Sequence, residues 1–575
     1  MNILRRINQI FLRKAKIKFI LLIFAISFGA ALELLALSII SPLISILMKP
    51  EMIFEHGIVY QIYNILAFNS VNSFLAFLAI SLASVYIFRG LYMYGLNKFQ
   101  YRLIGHQRVW LSDQILTKIM GKSYIFHANN NIAEMQRIIL TDVENFISLI
   151  TNILLLCSDF FMIIFILLFL FILSFEMTIF VLGISVLCLI VYLKIFRKQT
   201  NKAGAQAREK YVGMTKAINQ ALGGIKEVKM SHREKYFQEL FKKNSDHYIV
   251  AYQKYNELLI LPKLFIETFC FAGAFILVGI MLLAGTDIQN MIPQLSVFVL
   301  AAFRLLPAVS RIANYATTIS YLQPSADAIH RTLFEEEEKF FDIIPEESCT
   351  LKSKDIVVSN IKFQYEKTNN PMFESLSLVI PDKKSVAFTG PSGAGKTTLA
   401  DIILGILSPQ KGSVFYEGKS IHHHFADWAM QVGYIPQQIY LLDESVRENI
   451  AFGIPKDKID ENKVWDALEK AQLYDFIKAQ PLGLDTIIGD RGIRLSGGQR
   501  QRIGIARALY HDPSILILDE ATSALDIDTE AAVMDAIQKF QGEKTMIIVA
   551  HRLSTIEHCD IIYYIENGKI NQKRN

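Results

Sequence analysis

The chain has 575 residues, 52% of them hydrophobic, with 59 lysines and arginines against 54 aspartates and glutamates. Such a length is too great for one core, and the apolar fraction exceeds that of ordinary soluble proteins, which excludes a purely soluble enzyme. A formal net charge of +5 is too small to argue for nucleic acid, and the clustering of the bases follows membrane topology instead.

The apolar excess lies in the first part of the chain, so the expected organisation is a transmembrane domain over 1–325, a linker over 326–350 and a soluble domain over 351–575. At the N-terminus "RRINQIFLRKAKIK" leads into an apolar run too long for a signal-peptide core, so the first span is expected to be retained. Apolar segments of spanning length stand at about 18–47, 73–97, 146–173, 177–195, 259–284 and 291–318. The connections after the first, third and fifth spans carry one lysine between them, whereas the N-terminus, 98–145 and 194–258 are rich in bases. The positive-inside rule therefore places both termini and the two long connections in the cytoplasm.

Those connections contain "RVWLSDQILTKIM" and "YFQELFKKNSDHYIVAYQKY", with apolar residues at helical spacing, and are expected to prolong the spans as helical legs. The leg tips fall near "FHANNNIAEM" and "ALGGIKEVKM", either as plain helical turns or as contacts with the soluble domain. The segment Ile58–Phe68 is amphipathic and too short to span; it lies on the outer membrane surface or forms a disordered outer loop. The run Glu335–Glu338 reads as a solvated linker face. Cys157, Cys188, Cys270, Cys349 and Cys559 show no metal-type pairing or disulfide framework.

Few charges enter the spans: Glu33, Arg89, Asp159, Lys263, Glu267, Arg304 and Arg311. Arg304 and Arg311 are seven residues apart, which on a helix puts them on one face about 10 Å apart along the axis. Each guanidinium is costly in a membrane without an anion or water. Snorkelling or a buried ion pair is the competing account, above all for Arg89 and Lys263. If Glu33 and Glu267 face elsewhere, Arg89, Lys263, Arg304 and Arg311 outnumber their acids, and an anionic substrate becomes the counter-charge. The planar fork of arginine suits phosphate oxygens.

The soluble half carries the chemistry. "VAFTGPSGAGKTTLADIILGI" sets GxxxxGK[ST] between a β-branched run and a helical pattern, the context of a P-loop. The backbone of Gly390, Pro391, Ser392, Gly393, Ala394 and Gly395 wraps phosphates, the helix start adds its dipole, Lys396 reaches the β- and γ-phosphates, and Thr397, followed by Thr398, offers a hydroxyl to Mg²⁺. "SILILDEATSALD" is a hydrophobic strand ending in Asp519, suited to Mg²⁺, and Glu520, placed to polarise an attacking water. "RLSGGQRQR" starts a helix at Ser496, with Gly497, Gly498 and Gln499 forming an anion site. His422, His423 and His424 have no matching ligands nearby and read as a surface loop.

With these motifs at this spacing, nearly all of 355–575 resembles an ATP-binding cassette (ABC) protein. The resemblance implies that Tyr365 in "IKFQY" stacks on adenine, that Gln437 in "GYIPQQIYLL" is the Q-loop glutamine touching Mg²⁺ and water, and that His551 in "IIVAHRLST" holds the γ-phosphate. It likewise assigns Asp526 to the D-loop and "GDRG" to the cross-communication loop, with Asp490 where glutamate is usual. In that family the P-loop of one cassette faces the LSGGQ of another. The implied fold is a membrane α-helical six-span exporter domain (type IV) followed by an α/β P-loop cassette, acting as a homodimer with ATP and Mg²⁺.

A narrower resemblance rests on "IFAISFGAALELLALSIISPLI", "VYIFRGLY", "SVFVLAAFRLLPAVSRI" and the outer amphipathic segment. These look like the bacterial flippases for lipid-linked oligosaccharides, the PglK type, used in protein glycosylation or surface-polysaccharide assembly. It implies an undecaprenyl-pyrophosphate-linked oligosaccharide as cargo, a bacterial inner-membrane location, and Arg89, Lys263, Arg304 and Arg311 as the belt that meets the pyrophosphate. The alternative is an exporter of another amphiphile, such as lipid A, a drug or a peptide.

Overall fold

The structure, a computed structural model, describes residues 3–48, 57–68, 70–173, 197–283, 288–334, 353–365, 370–489, 492–520, 537–550 and 556–573, with isolated positions in the stretches between. It divides into two compact units, Met1–Lys122 with Asn130–Glu335, and Ser123–Asn129 with Glu336–Asn575.

The first unit is built from long helices. Arg13–Met48 has 36 residues, which at 1.5 Å each make about 54 Å, well past the roughly 30 Å of a hydrocarbon core. Val71–Met120 is longer still, at 50 residues. Its start is fixed by Ser70, whose Oγ accepts from the Ser73 N–H at 3.3 Å. Its end is at Gly121, whose N–H turns back onto the Thr117 carbonyl. Among the described residues, Arg13–Ile44, Val71–Met120 and Glu134–Ile172 are long and apolar enough to cross a membrane, and they coincide with the first three predicted spans. The fourth, 177–195, lies outside the described residues apart from isolated positions. The fifth and sixth fall within Glu234–Leu283 and Ile288–Phe334.

Apolar side chains on these helices divide between an inner and an outer face. Leu22, Leu111, Ile115, Phe146 and Leu149 are buried together, with Phe11 stacked on Phe146 at 5.9 Å. Phe24, Ile87 and Leu168 are exposed, as a lipid-facing surface requires, since it has no need of polar cover. The predicted amphipathic segment is a helix, Gly57–Ile65. It is anchored by Tyr63, edge-on to Phe74 at 5.4 Å, and leaves Tyr60 and Ile65 exposed.

The second unit holds two sheets. One is antiparallel, in the order β2-β1-β4-β5, formed by β1 (Ile356–Phe363), β2 (Phe373–Ile380), β4 (Lys411–Tyr416) and β5 (Lys419–Ser420). The other runs β10-β9-β3-β8-β7-β6, with β3 (Ser385–Thr389), β6 (Val432–Ile435), β7 (Ile515–Asp519), β8 (Thr545–Val549), β9 (Ile561–Glu566) and β10 (Lys569–Lys573). Its pairings are parallel except β9 with β10. Every residue of β7 and β8 is buried, the mark of a parallel sheet covered on both faces. This explains why the "ILILD" run is continuously apolar rather than alternating.

The tip of the first predicted leg, the helix Tyr124–Asn129, groups with this second unit, and Ile125 packs against its core. The other tip, Ile225–Met230, stays with the first unit.

The triple histidine is not wholly a surface feature. His422 is half-buried, its Nε2 enclosed without a hydrogen-bond partner among the described residues, and burial, helped by the charge on His423, lowers its pKa to about 4. Unfolded histidine titrates near about 6.5, so the folded cassette binds fewer protons and loses stability as the pH falls from there toward 4. Thermal unfolding of the chain is therefore expected to lose more on going from about pH 7 to about pH 5 in wild type than in His422→Leu. Equal losses in the two chains would show that this imidazole is not held neutral by the fold.

Candidate functional site

The parallel strands β3 and β7 deliver their C-terminal ends to one place, where an open α/β sheet binds ligands. The P-loop follows β3 directly and passes into the helix Lys396–Ile403. Gly390 has φ +143°, and a Cβ there would stand 2.1 Å from the carbonyl oxygen of Ile565 on β9. Only glycine lets the loop leave the sheet at this angle.

Lys396 is buried, and its Nζ donates to the carbonyls of Gly390 at 3.0 Å and Pro391 at 2.9 Å. Burial lowers its pKa, an effect opposed by the charges of Glu520 and Asp519. Those carbonyl bonds are ones an ammonium exchanges readily for phosphate oxygens. Thr397, the next residue, donates from Oγ1 to Asp519 Oδ1 at 3.2 Å, so a hydroxyl and a carboxylate oxygen converge at the P-loop helix start. An all-oxygen pair of this kind suits Mg²⁺.

Glu520 lies one residue beyond β7 in the left-handed region, at φ +46°, with its N–H donating to the Val549 carbonyl at 3.1 Å. That backbone turns its side chain toward Gln437, whose Nε2 donates to Glu520 Oε2 at 2.7 Å. Gln437 and the strand-end glutamate, 83 positions apart in sequence, thus touch. Asp401, on the P-loop helix, is raised to about 6 by burial and by the Asp519 charge.

Beside the P-loop is a cavity of about 640 Å³ lined by Tyr365, Met372, Pro391, Ser392, Gly393, Ala394 and Asn567, among others. Its volume lies in the range of small-molecule sites, about 300–1,000 Å³. Tyr365 stands edge-on to Phe363 at 4.9 Å, with its hydroxyl 3.1 Å from Thr398 Oγ1. Asn370, Pro371, Met372, Asn567 and Gly568 also line it, and sequence reasoning missed them. They reach it from the start of β2 and from the β9–β10 turn, without a motif of their own.

The signature residues stand apart from this cavity. Ser496 caps the helix Gly497–Leu509 through a capping box: its Oγ accepts from the Gln499 N–H at 3.2 Å, and Gln499 Oε1 accepts from the Ser496 N–H at 2.8 Å. Ser496 and Gly497 are exposed and Gly498 is buried. His551, Asp490 and Asp526 lie outside the described residues.

In the first unit, Arg89 donates from Nη2 to Glu33 Oε2 at 2.8 Å. Arg311 grips Asp159 with two bonds, Nε to Oδ2 at 2.7 Å and Nη2 to Oδ1 at 2.8 Å. All four residues line one cavity of about 240 Å³. This corrects one premise of the charge count, because Glu33 does not face elsewhere: it is buried against Arg89. Two of the four basic residues are thus held by acids. The side chains of Lys263, Glu267 and Arg304 lie outside the described residues.

Comparison with known proteins agrees with this architecture. The family description "ABC transporter transmembrane region" matches residues 19–305, and "ABC transporter" matches 373–523. The chain is 29% identical to an ATP-dependent lipid A-core flippase of Cupriavidus metallidurans over 467 residues, 80% of this chain and 77% of the relative. It is also 29% identical to one of Desulfotalea psychrophila over 472 residues, 80% and 79% of the two chains. ABC transporter B family member 18 of Arabidopsis thaliana is 42% identical over 217 residues, 37% of this chain and 18% of that protein. A solved structure, a bacterial Atm1-family ABC exporter with ATP bound, shares the fold with a TM-score of 0.73 at 22% identity, covering 98% of this chain and 95% of that one. The bacterial relatives are named for lipid A-core rather than for a polyprenyl-linked oligosaccharide, so they support the broad expectation and not the narrow one. The chain belongs to the ABC transporter family: it is an ATP-hydrolysing exporter dependent on ATP and Mg²⁺, in which a multi-helical transmembrane domain precedes an α/β P-loop ATPase domain.

Proposed function

We propose that this exporter is an ATP-driven flippase that carries a phosphate-bearing lipid amphiphile from the cytoplasmic to the outer leaflet of a bacterial inner membrane, working as a homodimer. The observation that carries the reading is the cavity in the transmembrane unit where Arg89 and Arg311 meet. Guanidinium groups inside a membrane span are costly and mark a substrate path by default, and their planar forks match phosphate oxygens. Lys263 and Arg304 belong to the same proposed belt.

Two cargoes fit. Similarity to lipid A-core flippases over four-fifths of the chain favours lipid A, a phosphorylated glycolipid. The paired arginines also suit the pyrophosphate of a polyprenyl-linked oligosaccharide, whose charge would sit at membrane depth.

In the cassette, the backbone of Gly390 to Gly395 and Lys396 bind the phosphates, while Tyr365, steadied by its hydrogen bond with Thr398, lines the base side of the cavity. Thr397, Asp519 and Gln437 would hold Mg²⁺, which supplies charge neutralisation to the phosphates when bound. Glu520 polarises the attacking water and His551 steadies the γ-phosphate. Ser496 and Gly497 are exposed at a helix start, beside the buried Gly498 and the half-buried Gln499, and none of the four lines the cavity beside the P-loop of this chain. They complete the site of a second copy. The soluble half is cytoplasmic, the side where ATP is found.

The test is transbilayer movement in proteoliposomes. Labelled lipid A, a labelled polyprenyl-pyrophosphate oligosaccharide and an uncharged polyprenol are each followed with and without ATP. ATP is expected to accelerate one or both phosphate-bearing lipids and to leave the polyprenol unmoved. Steady ATP hydrolysis with neither phosphate lipid moving would overturn the reading.

A further inference from the structure

We infer that Glu33 and Asp159 are the specificity-determining residues of the transmembrane cavity: they are resident anions that a headgroup must displace, so the cavity selects a diphosphate over a monophosphate. The inference rests on the reading of this cavity as the headgroup site.

The four charged groups sum to zero, two guanidiniums and two carboxylates around about 240 Å³. The cavity is therefore no simple cationic trap. The carboxylates are the inner partners and the arginines the outer ones: side-chain exposure is 6% for Glu33 and 12% for Asp159, against 22% for Arg89 and 44% for Arg311. An incoming anion thus meets guanidinium before carboxylate. Arg311 commits Nε and one Nη2 hydrogen to Asp159 and a further donor to Tyr315, which leaves two of its five donors. Arg89 keeps its Nε–H buried without an acceptor among the described residues.

A monophosphate carries a charge of about −1.5 to −2 at neutral pH, but its single phosphoryl group fills one guanidinium fork at a time. It replaces one charge-assisted fork with another of similar strength and gains little. A diphosphate engages both guanidiniums from one molecule, so its second contact is intramolecular and comes at high effective concentration. The volume limits the occupant in the same direction. It lies below the roughly 300 Å³ lower bound of drug-sized sites, enough for a headgroup and not for a glycan or chain. With a resident carboxylate neutralised, a monophosphate meets one arginine uncontested, and the discrimination collapses.

The experiment is equilibrium binding of polyprenyl pyrophosphate, polyprenyl monophosphate and polyprenol to the full-length protein in nanodiscs. Wild type is compared with Asp159→Asn, Glu33→Gln and the pair-deleting Asp159→Asn/Arg311→Gln. Wild type is expected to prefer the diphosphate by about tenfold or more. In each single variant the monophosphate tightens and the preference falls below about threefold. The double variant leaves no lone buried charge, so it keeps the fold testable if a single variant fails to assemble; both phosphate lipids are expected to weaken in it.

If neither phosphate lipid binds wild type better than polyprenol does, the inference fails, and the headgroup reading fails with it if lipid A does not bind either. If the diphosphate preference is present but unchanged in the single variants, the headgroup reading stands and the inference is overturned. A double variant with wild-type affinities would make the pairs helix braces only.

Discussion

Glu520→Gln is expected to bind ATP as wild type does and to hydrolyse it about 10²–10⁴-fold more slowly, the usual worth of a general base. The substitution exchanges one carboxylate oxygen for an amide nitrogen and leaves the backbone alone. Glu520 holds its strained φ of +46° through its N–H bond to Val549, and Val549 ends β8, so the turn survives. The Gln437 Nε2 donor, now 2.7 Å from Glu520 Oε2, finds the remaining carbonyl oxygen of the new side chain. What is lost is basicity toward water. ATP then stays bound between two copies, and the closed dimer accumulates. Single-turnover hydrolysis together with nucleotide retention on the full-length protein checks this. Hydrolysis at the wild-type rate would remove Glu520 from the role of base and leave that role to another carboxylate, such as Asp401 on the P-loop helix, whose pKa is raised to about 6.

How far the site was legible depends on how local its signals are. The P-loop, the strand-end pair Asp519 and Glu520, and the signature start at Ser496 each sit within a short run whose residue types have few other uses. A turn that needs left-handed glycine, a helix start that needs a cap and a strand buried on both faces leave a trace in consecutive residues. The capping box of Ser496 with Gln499 is of this kind, and the sequence alone pointed to an anion site there. Met372 and Asn567 had no such trace. Asn567 reaches the cavity beside the P-loop because β9 lies beside β3, and Met372 because the start of β2 comes against Gly395, facts of tertiary packing rather than of spacing.

The membrane half shows the same limit more sharply. Hydropathy located the first three spans, because apolar length is a local property. Hydropathy says nothing about partners. Glu33 and Arg89 are 56 positions apart, Asp159 and Arg311 are 152 apart, and counting charges could only ask whether acids were available. Bringing them together takes the packing of Arg13–Met48, Val71–Met120, Val143–Leu173 and Ile288–Phe334 around one cavity. Once paired, the arginines change meaning. They become groups already engaged, from which a substrate must win its contacts, and truncating Arg311 would leave the buried Asp159 carboxylate without its guanidinium, a cost of about 3–5 kcal/mol. An arginine-to-alanine variant that fails to transport would therefore not separate lost recognition from lost packing.

The largest stability effect is expected at Gly390. Gly390→Ala places a methyl group 2.1 Å from the Ile565 carbonyl oxygen, and neither side can yield cheaply. Ile565 is held in β9, which pairs with β3 through Phe388 and Tyr563, Thr389 and Tyr564. The φ of +143° is itself closed to residues with a Cβ. Relief requires prising β9 from β3 at the end where the P-loop begins, so the cost is at least about 3 kcal/mol. ATP binding falls with it, because the Gly390 carbonyl is one of the two that hold Lys396 in place. Gly393→Ala is the control within the same loop. Gly393 also has a positive φ, +80°, but nothing stands within 4 Å of an added Cβ, and the cost is only the left-handed backbone, about 1–2 kcal/mol. Thermal unfolding of the cassette in the two variants should order them with Gly390→Ala much the weaker. Equal melting of the two would mean that the close approach to Ile565 does not exist in the folded cassette.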